Sequence, residues 1–332
     1  MNRESGKIKI AAIVGPTAGG KTALSIEMAK RYGGEIISCD SMQIYRGMDI
    51  GTAKPDMKER DGIPHHMIDI CDPTEKFSCS DYAEMALKCI NDIAGRGKIP
   101  IFCGGTGLYL DSVLRGVRDD GATSDPVFRE EMQRFADENG AAALHAKLSE
   151  VDPEAALSIH QNNVRRVIRA LEVYHTTGKT KTQLDAESRE KEPDFDALVI
   201  GLNYENRDIL YSRIDKRVDI MIKNGLLDEA KMLYDKGLLS PNTTAGQAIG
   251  YKELFPYFEG QCPLEDAAEQ LKLDTRHYAK RQMTWFLAKK NVSWISVCGE
   301  KDDYLTKTFE EIVNNASILF NNFGFCDIIN KR

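Results

Sequence analysis

The chain has 332 residues, with 51 acidic and 44 basic side chains, a net charge of −7 and 42% hydrophobic residues. That length gives one large domain or two with a core that needs no disulfide help, and no apolar run reaches membrane-span length, which excludes a helical membrane protein. The eight cysteines are scattered without a Cys-x-x-Cys pair, which excludes a disulfide scaffold or zinc ribbon and indicates reduced, cytoplasmic usage, in line with a first stretch, Met1 to Gly6, that lacks the apolar core of a secretion signal.

The first element is a short apolar run, Ile8 to Val14, suited to a buried parallel strand. It leads into Gly15-Pro16-Thr17-Ala18-Gly19-Gly20-Lys21-Thr22, a glycine, four free positions and Gly-Lys-Thr. In this phosphate loop, glycines let successive N–H groups point inward at phosphate oxygens, Lys21 adds a positive charge and the Thr22 hydroxyl binds Mg²⁺. A helix follows from Ala23 to Lys30, so its N-terminus faces the anion. Strand before and helix after disfavour a chance glycine-rich turn. The loop by itself does not say which phosphorylated ligand binds.

Glu35 to Asp40 reads as a second strand ending in a carboxylate. Ligands of open α/β sheets bind beyond the carboxyl ends of the strands, which places Asp40 near the loop. The alternative is a turn cap. Asp40-Ser41-Met42-Gln43-Ile44-Tyr45 offers groups that suit a nucleobase as well as a loop. Asp49 to Pro55 is turn-rich. His65-His66 lacks partners at metal-ligand spacing and reads as a packing or hydrogen-bonding pair. Ser80 to Ile93 is an amphipathic helix. Lys98 to Cys103 is the next strand, but it ends in Gly104-Gly105-Thr106-Gly107. NTP-hydrolysing proteins usually end such a strand in a carboxylate that helps hold Mg²⁺. Thr106 instead offers a hydroxyl where another molecule can approach closely.

Arg118 to Thr123 looks like a hinge. Asp125 to about Leu184 is helix-rich, with helix starts at Asp125-Pro126 and Asp152-Pro153, and reads as a helical insertion into the α/β core. Arg165 and Arg169 share a helix face bordered by Arg166, with almost no acidic partner within a turn. That favours anion binding over an ordinary solvated face. Ala197 to Leu202 returns to strand character. In the helix Arg207 to Ile222, Arg213 and Arg217 either approach the phosphate site or pair with Asp215 and Asp219. Ala245 to Lys252 has two glycines in an otherwise helical stretch, which points to close approach. Thr275 to Phe286 interleaves Arg276, His277, Lys280 and Arg281 with aromatics, as in a face that tracks a phosphate backbone and stacks bases. Val292 to Val297 is the last strand, followed by a helix and a loose end.

Eight ordered motifs carry a resemblance over nearly the whole length. They are Gly15 to Thr22, Ser38 to Tyr45, Met48 to Pro55, Pro64-His65-His66, Gly104 to Tyr109, Arg169 to Val173, Gly250-Tyr251, and Lys280 to Trp285. The chain resembles the tRNA dimethylallyltransferases, in their bacterial form without a zinc-finger extension. The resemblance implies an α/β fold, a P-loop kinase-like parallel sheet flanked by helices, divided as 1–118 core, 119–192 helical insertion that clasps RNA, and 193–332 core completion. It implies a cytoplasmic monomer that transfers a dimethylallyl group from dimethylallyl diphosphate to N6 of the adenine 3′ of the anticodon in a tRNA anticodon stem-loop. Asp40 is then the base, with Thr106 and Lys21 as further catalytic residues. The diphosphate falls to Gly15, Thr17, Ala18, Gly19, Gly20, Lys21, Thr22, Arg166, Arg213 and Arg217, with Mg²⁺ on Thr22. By resemblance tRNA falls to Asp40, Ser41, Met42, Gln43 and Thr106, to Arg129 and Arg165 through Val167 and Ile168 to Arg169, and to Gln247, Gly250, Tyr251, Lys252, Lys280, Arg281, Gln282 and Trp285. Two departures stand out: Gly19 where relatives commonly carry Ala or Ser, and Arg165 where some carry Gln. The residues alone also admit a small-molecule kinase using ATP at the loop, or a nucleotide-driven RNA-binding protein.

Overall fold

The computed structural model describes residues 7–114, 124–190, 195–241, 243–297, 307–326 and 328. The expected hinge at Arg118 to Thr123 lies outside them. Six parallel strands form one sheet in the order β3-β2-β4-β1-β5-β6: β1 Ile8–Val14, β2 Gly34–Cys39, β3 His65–His66, β4 Ile99–Gly104, β5 Phe195–Tyr204 and β6 Val292–Val297. The central strands are apolar because a parallel sheet is covered on both faces. From Ile10 to Val14 no residue of β1 is more than 2% exposed.

Among the described residues, four helices come before residue 115: α1 Lys21–Tyr32, α2 Met57–Arg60, α3 Cys79–Gly95 and α4 Gly107–Leu114. After β5 come α10 Arg207–Lys223, α11 Leu226–Asp235, α12 Phe255–Phe258, α13 Leu264–Leu287 and α14 Lys307–Asn322. The compact units are residues 1–110 with 195–332, and residues 111–194. No helix among the described residues is long and apolar enough to cross a membrane.

The second unit holds α5 Pro126–Asn139, α6 Ala141–Val151, α7 Pro153–Ser158, α8 Val164–Thr177 and α9 Lys181–Glu190. The Asp125 and Asp152 side chains cap α5 and α7 by accepting backbone N–H groups, each with proline at the first helical turn. Leu144, Leu148, Val167 and Ile168 belong to its core. The side chains of Val167 and Ile168, expected at RNA, are buried in this core. Glu172, fully buried, accepts from Arg129 at 2.7 and 2.8 Å and from Arg169 at 2.7 Å. Arg169 thus has an acidic partner three residues along its own helix. Arg165 and Arg166 are exposed on α8.

Residues 245–252 are not a helix. Two short 3₁₀ turns, Ala245–Gln247 and Lys252–Leu254, flank Gly250, whose φ is +107°. The close approach there is to the protein's own chain. A Cβ on Gly250 would lie 2.6 Å from the Gly51 carbonyl oxygen. His66 bonds the buried Glu35 at 2.8 Å, and Arg96 and Lys98 hold the same carboxylate, which keeps Glu35 well below the usual carboxylate range, the Arg96 bonds first among the causes.

Candidate active site

The strand order builds the site. β2, β4 and β1 are neighbours, so their carboxyl ends bring Asp40, the Gly104 to Gly107 turn and the phosphate loop to one edge of the sheet. The loop closes through Gly19 N–H to Pro16 C=O at 3.1 Å, with Ala18 at φ +58° and Gly20 at φ +87° capping α1. Alternating hand along the backbone turns its N–H groups into a concave anion cradle. A Cβ on Gly19 would sit 2.7 Å from the Pro16 oxygen, so any larger residue there needs a shifted loop.

The strand-ending carboxylate expected of an NTPase is absent for a packing reason. A Cβ on Gly104 would lie 2.0 Å from the Cys39 carbonyl oxygen, on the neighbouring strand. The Thr106 N–H then donates to that Cys39 oxygen at 3.1 Å, and the Thr106 hydroxyl accepts the Ser41 N–H at 3.1 Å. Thr106 and Asp40 are thereby fixed to one frame.

Asp40 caps a turn and also borders the phosphate loop's cavity. Its Oδ1 caps the following turn by accepting the N–H groups of Met42 at 2.9 Å and Gln43 at 3.3 Å. The carboxyl also lines the cavities described below. Burial raises its pKa, opposed by the Met42 N–H and the Lys21 charge. Lys21 donates to the Pro16 carbonyl at 2.7 Å, and burial pushes its pKa down to about 8.

The arginines of α10 turn to the loop. Arg213 donates to the Ala18 carbonyl at 2.9 Å, and Arg217 to the Thr17 hydroxyl at 3.3 Å. The aspartates weighed as their partners go elsewhere, Asp215 to Arg276 and Asp219 to Lys272. Lys21, Arg213 and Arg217 therefore converge on the cradle.

Two cavities meet at Asp40. One, of about 370 Å³, is lined by Thr17 to Thr22, Arg213, Arg217 and Gln282 and is mainly polar. The other, of about 390 Å³, has apolar walls from Met42, Val218, Met221, Ile249, Leu271 and Tyr278. Thr17, Asp40, Thr52, Ala53 and Arg217 line both. A polar, cationic space and a more apolar one thus adjoin, with the Asp40 carboxyl on the wall they share.

Several of the residues expected at RNA also have partners within the protein. Gln282 is buried and its side-chain oxygen accepts the Thr17 N–H at 2.8 Å, so it braces the phosphate loop. The Gln43 amide is engaged by Ser38, Thr52 and Ala53. Tyr251 is fully buried and donates to Glu229 at 2.7 Å. Lys252 pairs with Asp274 at 3.0 Å. Trp285 packs on Gly107, where a Cβ would lie 2.2 Å from its ring. The basic and aromatic residues of α13 do not form one interleaved face. Phe286, Gln282 and Ala279 are buried, while His277, Lys280, Arg281 and Thr284 are exposed. Arg276 is held by Asp215. Ser41, Met42, Gln247, Gly250 and Arg281 line the apolar cavity. Sequence reasoning missed Tyr278, Thr52 and Ala53. Helical spacing carried a signal for Tyr278, because it stands one turn before Gln282.

Comparison with known proteins points the same way. The family described as IPP transferase matches residues 43–290, and that described as isopentenyl transferase matches residues 8–71. The tRNA dimethylallyltransferase of Bacillus velezensis is 53% identical over 288 residues, 87% of this chain and 90% of that protein. The crystal structure of the tRNA isopentenylpyrophosphate transferase of Bacillus halodurans matches with a TM-score of 0.68 and 45% identity, over 97% of this chain and 99% of that one. A eukaryotic dimethylallyltransferase acting on tRNA matches with a TM-score of 0.78 and 31% identity, over 95% of this chain and 80% of that one. A match this long and this close in sequence, on the same fold, establishes that the chain belongs to the tRNA dimethylallyltransferase family.

Proposed function

We propose that this enzyme transfers the dimethylallyl group of dimethylallyl diphosphate to N6 of the adenine 3′ of the anticodon in tRNA. The observation that carries the reading is the meeting of the cationic loop cavity and the apolar cavity at Asp40. The allylic C–O bond breaks as the N6–C bond forms, the N6 proton passes to Asp40, and diphosphate leaves. The adenine lone pair is delocalised into the ring, so removing the proton as the bond forms matters. Loop N–H groups, Lys21, Arg213 and Arg217 stabilise the charge growing on the leaving diphosphate. Thr106, tied to Ser41 beside Asp40, orients the amine or the diphosphate.

Among the described residues no cluster of three or more His, Cys, Asp or Glu forms a metal cage. That fits Mg²⁺, which typically takes one or two protein ligands and completes its shell with phosphate oxygens and water. Thr22, in the first turn of α1 and lining the polar cavity, would hold the ion, which supplies further neutralisation of the diphosphate when bound.

For tRNA, we assign the exposed Lys280 and Arg281 of α13, and Arg165 and Arg166 of the insertion. Replacing Lys280 and Arg281 together by alanine is expected to weaken tRNA binding and to lower the slope of log affinity against log salt by about 1.4 to 1.8, two phosphate contacts' worth. Filter binding across a salt series reads this, and an unchanged slope would sink the assignment.

The reaction is tested by incubating the protein with dimethylallyl diphosphate, Mg²⁺ and unmodified tRNA, followed by nucleoside mass spectrometry. One dimethylallyl group gained on an adenosine beside the anticodon is the expected product. ATP consumption on a panel of small molecules, without that gain, would return the loop to a kinase.

A further inference from the structure

Glu229 stands in the first turn of α11, in a stretch, Leu227-Asp228-Glu229-Ala230-Lys231, that reads as an ordinary helix start. Its carboxylate is saturated by four donors. Oε2 accepts the N–H groups of Asp49 at 3.1 Å and Ile50 at 2.9 Å, and Oε1 accepts the Gly51 N–H at 3.0 Å and the Tyr251 hydroxyl at 2.7 Å. Three successive backbone N–H groups thus converge on one side chain about 180 residues away in sequence. The Tyr251 ring also packs on this turn. A Cβ on Gly51 would lie 2.4 Å from that ring, so only glycine fits.

The clamped turn carries Thr52 and Ala53, which line both cavities. Their carbonyl oxygens each accept the Gln43 amide at 3.3 Å, and the Gln43 N–H donates to Asp40. Hydrogen bonds joined by short stretches of chain therefore link Glu229, through the turn and Gln43, to the carboxyl between the cavities. We propose that Glu229 is a positioning residue for the transfer reaction: it fixes the 49–53 turn as the common wall of the two cavities and, through Gln43, holds Asp40 at its working angle. The assignment rests on the transfer reading given above. A carboxylate is required because all four partners are donors. An amide of the same shape would aim its own NH₂ at two of them.

Glu229→Gln is the test, because it keeps size and removes acceptors. Three quantities are read: hydrogen exchange of the 49–54 amides, kcat and KM for dimethylallyl diphosphate per folded molecule, and tRNA affinity. The amides are expected to exchange at least about tenfold faster, as a locally loosened segment does. kcat is expected to fall by about 10- to 100-fold, the scale of a slight misplacement of reacting groups, with KM and tRNA affinity changed by less than about threefold. A merely structural role would lower the melting temperature and leave kcat per folded molecule intact. That result, or unchanged exchange, overturns the proposal. The wild-type protein is assayed alongside. Failure of the wild type to transfer would count against the reaction, whereas amide exchange still decides the clamp. If Glu229→Gln does not fold, Tyr251→Phe removes one donor and is expected to shift exchange and kcat in the same directions by about two- to fivefold. No shift in either would equally overturn the proposal.

Discussion

Asp40→Asn is expected to lower kcat by about 10²- to 10⁴-fold while leaving tRNA affinity unchanged, the usual scale of lost general-base assistance. Asparagine is the informative change because the Asp40 side chain has two jobs. Its Oδ1 caps the turn at Met42 and Gln43, and an amide oxygen keeps those bonds. Alanine would remove the cap as well and loosen Met42, a wall of the apolar cavity. Only the proton acceptor is lost in Asn. The pH profile adds a second reading. Burial raises the Asp40 pKa, and the base works only when ionised. kcat/KM is therefore expected to fall with acidification on a limb that lies above the ordinary carboxylate range, and the limb should vanish in Asp40→Asn. Single-turnover transfer across pH measures both. Near-normal turnover by the variant would remove Asp40 from the base role.

Lys21→Met is expected to cost about 10²- to 10³-fold in kcat, near 3 kcal/mol, the typical loss when one preorganised charge contact to a developing anion is removed. Methionine keeps the stem and deletes the ammonium. The effect should be large because the group is desolvated and reaches the loop centre, donating to the Pro16 carbonyl at 2.7 Å. The sign of its pH dependence follows from burial. With the pKa lowered to about 8, the free enzyme holds a charged Lys21 below that pH and loses the charge above it. kcat/KM for dimethylallyl diphosphate is therefore expected to decline as pH rises through about 8 and to lose that limb in Lys21→Met. Initial rates at limiting diphosphate read it. A basic limb that persists in the variant would assign it to another group.

The phosphate loop, five of the six strands and two of the insertion's helix starts were legible because each is a local pattern. An apolar run of strand length, glycines at fixed offsets before Lys-Thr, and Asp-Pro at a helix start act within a few residues of themselves. β1 and β6 span the same residues as their apolar runs, Ile8–Val14 and Val292–Val297. β3 was not legible. Two residues paired at the sheet edge leave no periodicity to read.

What the sequence by itself determined is the chemistry at hand: a phosphate cradle, a strand-ending carboxylate, a threonine turn without the hydrolytic aspartate, and the family these imply in combination. Only the tertiary structure decided which side chains are available to a ligand. Arg213 and Arg217 could pair locally or reach the loop, and packing sent Asp215 to Arg276 and freed the choice for the loop. Gln282, Tyr251 and Gln43 carry polar groups that suit RNA, yet each is taken by a partner between 5 and 265 residues distant. The physical reason is the same in every case. A polar side chain bonds whatever donor or acceptor the fold brings within about 3 Å, and sequence distance does not limit that choice.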